Sequence, residues 1–239
     1  MSGTLEIRER IARFDWERVA SELDERGHAR LPRLLKSAEC RAIDELYDDR
    51  KRFRSHVDMA RHRFGEGEYR YFDRPLPPLV EQLRRHLYPP LARIANRWYK
   101  QLGQDNRLPT SHSRFLKHCE AHDQLRPTPL LLRYRAGGFN CLHQDVYGDV
   151  TFPLQVACLL DRPDEDFTGG EFLLMEQRPR MQARAEAIRL SRGEGIVFPT
   201  RERPVRGTRG FYRAQLRHGV SRIHSGRRTT LGIIFHDAR

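Results

Sequence analysis

A mainly β fold with a helical N-terminal half is what this sequence predicts, on three observations. From about residue 128 onward, short apolar segments alternate with glycine-containing turns, the spacing of an all-β sandwich or barrel. Before that point, apolar residues recur mostly at helical intervals. The 239 residues are 38% hydrophobic and 32% charged, which suits one substantial core with helical support. The expected organisation is a single domain over 1–239, with 1–127 as a helical support region and 128–239 as the β core.

Taken in order, Leu5 to Glu25 places Ile7, Ile11, Phe14, Val19 and Leu23 on roughly one face and is expected as one helix. Gly27 to Pro32 breaks it and has room for a first strand. Ser37 is the expected N-cap of a helix reaching about Arg50, with Ile43, Leu46 and Tyr47 inward. Met59 to Phe72 reads as strand and loop. Its Phe64, Tyr69, Tyr71 and Phe72 suit either packing between helices and β core or the mouth of a site. Pro77-Pro78 opens a helix through Leu87. Pro89-Pro90 is expected to interrupt it, with Leu91, Ile94, Ala95 and Trp98 on a second helix. Leu130 to Arg135 is a strand, Gly137-Gly138 a turn, and Phe139 to Asp145 the next strand. Further strands are expected at Pro153 to Leu160, Thr168 to Leu174, Ala187 to Leu190, Gly193 to Phe198 and Thr229 to His236.

The chemistry-bearing pattern is His143-Gln144-Asp145. Residues i and i+2 of a strand share a face, so His143 and Asp145 can chelate one ion, with Cys141 on the same side. A second H-x-D, His56-Val57-Asp58, lies in a charged stretch without flanking glycine turns and is expected to be local surface structure. Two imidazoles and one carboxylate form the facial triad of a mononuclear non-haem Fe(II) centre. His218, His224 and His236 are each available as the second imidazole.

The stretch His218-Gly-Val220-Ser-Arg-Ile223-His224-Ser-Gly226-Arg227-Arg228 resembles the last core strands of the 2-oxoglutarate/Fe(II) dioxygenase superfamily, which commonly read H-x-V-x-x-V/I-x-x-G-x-R. The resemblance selects His218 as the third ligand. It also implies that Arg228 holds the far carboxylate of 2-oxoglutarate, since the same interval from His224 lands on Ile234. Thr230 alternates onto the face of Arg228 and is expected to assist; Arg227 alternates away and is expected to be structural. Tyr134 resembles the tyrosine with which prolyl-hydroxylase-like relatives bond 2-oxoglutarate. Asn140 and Gln144 are expected to point away from the ligands. The implied fold is a double-stranded β-helix, or jelly roll, over 128–239, and the implied cofactors are Fe(II), 2-oxoglutarate and O2.

Charge bears on the partner. Lys and Arg total 44 against 32 Asp and Glu, a formal net charge of +12. The segment Arg201 to Arg213 places Arg203, Arg206 and Arg209 beside Phe211 and Tyr212, just before His218. It is expected to form a basic rim that contacts nucleic acid, arginine suiting phosphate and aromatic rings suiting bases. The combination R-Y-x-x-G-G-F-N-x-L-H-Q-D, T-G-G-E-F and R-H-G-V-S-R-I-H-S-G-R-R resembles a bacterial group of such oxygenases proposed to act on damaged or methylated DNA. It implies hydroxylation, and so demethylation, of a modified base. The alternatives are a protein (prolyl-type) or small-molecule hydroxylase of the same superfamily, or a non-catalytic jelly-roll binding protein.

No run of 18 apolar residues exists, so no membrane association is expected. The N-terminus lacks an apolar signal-peptide core. Cys40, Cys119, Cys141 and Cys158 show no C-x-x-C spacing and read as reduced thiols of a cytoplasmic protein.

Overall fold

The computed structural model describes residues 6–146 and 148–239. Leu5, where the first helix is expected to begin, and the leading residues of the N-terminus lie outside them. Among the described residues the strands form two antiparallel sheets that face each other. The larger contains β1 (Ala29–Leu31), β2 (Phe53–Asp58), β4 (Glu68–Phe72), β5 (Leu130–Arg135), β7 (Leu154–Leu159), β11 (Gly195–Pro199) and β14 (Ile223–Ile233). Their order is β1-β11-β7-β14-β5-β4-β2, and β8 (Phe167–Gly169) pairs with the start of β14. The smaller sheet runs β10 (Arg184–Ile188), β9 (Phe172–Gln177), β13 (Gly210–Val220), β6 (Phe139–His143), β3 (Gly65–Glu66), with β12 (Glu202–Gly207) on β13. This is the expected mainly β jelly roll.

The sequence pattern dictates which face each strand buries. In β7, Leu154, Val156 and Cys158 join the core beneath the helices, whereas Ala157 and Leu159 join the core between the sheets. A strand covered on both faces reads as a continuous apolar run, as β7 does. The covering helices are α1 (Ile7–Ala12), α2 (Trp16–Arg26), α3 (Ser37–Glu45), α4 (Pro78–Gln101) and α5 (His112–Glu120). One buried arginine ties α4 to the end of the β core. Arg84 donates to the Ile234, Phe235 and His236 carbonyls at 2.9 to 3.0 Å and to Asp237 Oδ1 at 2.6 Å.

Four local expectations are corrected. The first helix is two, because the Asp15 side chain accepts the Arg18 N–H and starts α2 afresh. Ser37 is the first helical residue rather than the cap, and Glu39 accepts the Lys36 N–H instead. The helix from Pro78 runs unbroken to Gln101 through Pro89-Pro90. Interior proline costs about 3 kcal/mol; burial of Leu87, Leu91, Ile94 and Trp98 at helical spacing across the prolines offsets it. Finally, Phe53–Asp58, inside the region expected as helical support, is strand β2, and it joins the sheets together with β1, β3 and β4, which fall where strand was expected. Tyr69-Arg-Tyr71 of β4 pairs with Leu130 to Leu132 of β5 and extends the larger sheet.

Candidate metal centre and its cavity

The sheets enclose a cavity of about 390 Å³. Leu130, Leu132 and Tyr134 of β5, Arg228 and Thr230 of β14, and Tyr69 and Tyr71 of β4 line it from one side. Asn140 and His143 of β6, His218 of β13 and Phe172 of β9 line it from the other, with Asp145 just past β6.

His143, Asp145 and His218 converge as the H-x-D spacing requires. One donor atom from each lies within 4.8 Å of the others, and among the described residues this is the one group of three or more such donors close enough to share an ion. His143 Nε2 is 3.5 Å from Asp145 Oδ1, and His218 Nε2 is 3.2 Å from Asp145 Oδ2. His143 Nδ1 donates to the Cys141 carbonyl at 2.8 Å, which leaves the Nε2 lone pair for a metal. Burial pushes the Asp145 carboxyl up, but the charges and hydrogen bonds of His218 and His143 outweigh it and hold the group well below the usual carboxylate range. Phe198 and Phe172 cover His218, with ring centroids at 4.7 and 6.0 Å.

At the other end of the cavity Arg228 is 2% exposed. One terminal nitrogen donates to Thr230 Oγ1 at 2.5 Å, while the buried Nε has no partner among the described residues. Burial pulls its pKa down, offset in part by Tyr134, Asp161 and Glu171. None of these acids forms an ion pair with it among the described residues. A buried guanidinium aimed into a cavity without its own carboxylate fits a ligand carboxylate. Tyr134 is fully buried, and burial raises its pKa so that it stays a phenol. Its oxygen accepts from Asn140 Nδ2 at 3.2 Å, which leaves its own proton to donate into the cavity. The donor set therefore fits Fe(II), and Arg228, Thr230 and Tyr134 fit 2-oxoglutarate.

The T-G-G-E-F motif has a local explanation here. Gly170 has φ +67°, and a Cβ there would lie 2.8 Å from Arg228 Cδ. That backbone favours glycine, and the missing side chain leaves room for the arginine and for Ile223 Cδ1, which would lie nearer still to a Cβ. Arg227 faces the other way and pairs with Asp44 at 2.8 Å, as alternation predicts.

Asn140 is a correction, since it lines the cavity instead of pointing away. His143 sits opposite His218 and Asn140 opposite Val220, so three steps on β6 match two on β13. This bulge turns both residues inward. Gln144 also reaches the cavity lining, while its amide donates to the Leu216 and Arg201 carbonyls. Phe64, Tyr69 and Tyr71 lie on the cavity, whereas Phe72 is core, stacked on Phe53. The aromatic content of that segment was the sequence signal. The second H-x-D is elsewhere: His56 bonds Glu68 on the neighbouring strand at 2.7 Å.

The expected basic rim is corrected more deeply. Arg203 is 1% exposed and paired with buried Glu176 at 2.5 Å. It donates to the Asp24 and Glu25 carbonyls, which the end of α2 leaves unsatisfied. Arg206, Arg209, Phe211 and Tyr212 belong to the β12–β13 hairpin and do not line the cavity. Because β13 is continuous from Gly210 to Val220, the hairpin turn lies roughly 26 Å along the strand from His218.

Comparison with known proteins agrees with this geometry. Residues 67–238 match the model of the Oxygenase-NA family, described as an oxygenase catalysing oxidative methylation of damaged DNA. Uncharacterized proteins from two strains of Mycobacterium tuberculosis are each 49% identical over 167 residues, 70% of this chain and 72% of theirs. A Pseudomonas putida prolyl-4-hydroxylase superposes with TM-score 0.52 at 16% identity, over 94% of this chain and 99% of that one. A Burkholderia pseudomallei oxidoreductase of the 2OG-Fe(II) oxygenase family gives 0.54 at 18%, over 95% and 94%. A Trichoplax adhaerens prolyl hydroxylase gives 0.55 at 15%, over 97% and 92%. At such identities the likeness is one of fold. No helix among the described residues is long and apolar enough to cross a membrane.

Proposed function

This chain belongs to the Oxygenase-NA family, and on that footing we propose that it oxidatively demethylates a modified or alkylated base in nucleic acid. It is a 2-oxoglutarate-dependent dioxygenase whose cofactors are Fe(II), 2-oxoglutarate and O2. The observation that carries the substrate reading is the family match, which spans the three candidate ligands and Arg228.

In this reading His143, Asp145 and His218 would hold the iron, two imidazoles and a carboxylate being the donor set that suits Fe(II). Bound iron with these two supplies a two-electron oxidation that leaves one oxygen atom in succinate and one in the substrate, with loss of CO2. Arg228 pairs with the distal carboxylate of 2-oxoglutarate, and Thr230 fixes the guanidinium. Tyr134, oriented by Asn140, donates its phenolic proton to the same cosubstrate. Phe172, Phe198 and Leu132 exclude water around the reacting carbon. The target N-methyl C–H becomes C–OH. The hydroxymethyl amine then releases formaldehyde; the C–N electron pair stays on nitrogen, which takes up the hydroxyl proton.

The test is succinate release by Fe(II)-loaded protein with methylated DNA, unmodified DNA or a proline-rich peptide pool. Stimulation by methylated DNA, with formaldehyde in step with succinate, is expected, and Asp145→Ala should abolish both. Stimulation by peptide alone would replace this reading with that of a protein hydroxylase.

A further inference from the structure

The smaller sheet extends past the metal end of the cavity as two adjacent basic hairpins. His218 is opposite His143 on β6 and opposite Leu174 on β9. In an antiparallel sheet, the chain after His143, the chain after Leu174 and the chain before His218 therefore leave the metal at one end. Beyond that end stand the β9–β10 turn and the β12–β13 hairpin. They are neighbours, since Gln215 is registered with Gln177 and Arg178 lies against the Tyr212 hydroxyl.

Residues 177–184 and 202–213 contain seven arginines and one acidic residue. Arg203 is buried and structural, Arg178 and Arg184 share Glu176, and Arg213 pairs with Glu202. Arg180, Arg206 and Arg209 are exposed and have no acidic partner among the described residues. Between them lie Phe211, 40% exposed, and Met181, 59% exposed. Unneutralised guanidinium groups interleaved with exposed apolar side chains match a flexible phosphate backbone carrying stackable bases. A compact anion would engage one arginine; a ledge of several exposed arginines standing about 26 Å from His218 along β13 suits a chain that spans both.

We propose that this double-hairpin ledge is a second nucleic-acid contact, separate from the cavity, which grips the strand backbone about four (extended) to about eight (stacked) nucleotides from the base being oxidised. It rests on the reading of nucleic acid as substrate. The cavity selects the base and the ledge supplies sequence-independent affinity, so the two contributions can be removed independently.

The test uses undamaged labelled oligothymidylates of about 4 to about 20 nucleotides, with wild type and R180Q/R206Q/R209Q, by fluorescence anisotropy across a salt series. Wild-type affinity should climb steeply as the oligomer passes through about four to about eight nucleotides. The triple variant should lose that length dependence, and its slope of log K against log salt should flatten by about two. Its 2-oxoglutarate consumption without substrate should match wild type, since none of the three residues touches the cavity. Equal length dependence and salt slope in variant and wild type would overturn the ledge. If oligomers bind as described but methylated DNA yields no formaldehyde, the ledge stands and the demethylase reading falls. If methylated DNA yields formaldehyde and the variant binds oligomers like wild type, the demethylase reading stands and the ledge falls.

Discussion

Arg228 is buried, charged and short of acceptors; among the described residues Thr230 is its one hydrogen-bond partner and Nε is unsatisfied. Replacing it with alanine removes a charge-assisted pair worth about 1.5–3 kcal/mol, so the 2-oxoglutarate requirement should rise roughly ten- to hundredfold. Fe(II) affinity should stay near wild type. An unchanged cosubstrate dependence would reject the role. Gly170→Ala acts on the same guanidinium indirectly, through a Cβ placed 2.8 Å from Cδ and a left-handed backbone. It should raise the 2-oxoglutarate KM and lower stability by about 1 kcal/mol or more; a normal KM would show that Arg228 does not depend on that gap. His143 and Asp145 were legible in the sequence because strand alternation encodes them directly, and Arg228 because the stretch from His218 resembles the last core strands of the superfamily. Asn140 was not, because a bulge shifts β6 by one residue and flips its face, and a period of two carries no record of a bulge.

Among the elements, the β12 strand shows how position along the chain misleads. Arg203 looked like part of an exposed arginine cluster, but its tertiary partners are Glu176 and the last carbonyls of α2. Nothing in local sequence announces a partner 179 residues away. Arg203→Met should cost about 3 kcal/mol, the low end for breaking a buried pair, because Glu176 keeps Arg178 and Arg184. Arg206→Gln should change stability by less than about 0.5 kcal/mol. Urea titration of the two variants separates them, and equal midpoints would return Arg203 to the surface. The same contrast explains α4, whose prolines signal a break locally while its buried face, continuous on both sides of them, keeps it whole.

For the whole molecule, stability should depend on pH through two buried histidines. Burial, then Arg84, pushes His112 down to about 3 and His236 down to about 4. Both are neutral in the folded protein; His112 bonds the Phe235 carbonyl and His236 accepts the Phe152 N–H. An unfolded chain titrates them near ~6.5. Stability is therefore fully present above that value and declines as pH falls toward the folded values, by up to ~1.4 kcal/mol per pH unit for each histidine. The urea midpoint should drop between about pH 6.5 and about pH 4.5, and His112→Gln should flatten the drop; a midpoint constant over that range would contradict it. The same global view shows how the site is assembled. One stretch, 134–145, passes from the larger sheet to the smaller and carries Tyr134, Asn140, His143 and Asp145. Another, 218–230, passes back and carries His218, Arg228 and Thr230. Each is a cassette that brings one part of the iron sphere and one part of the cosubstrate clamp together. The β9–β10 turn between them, outside the cavity, can consequently be lengthened or nicked with the reactive centre kept intact, while the reach of the enzyme along its substrate changes.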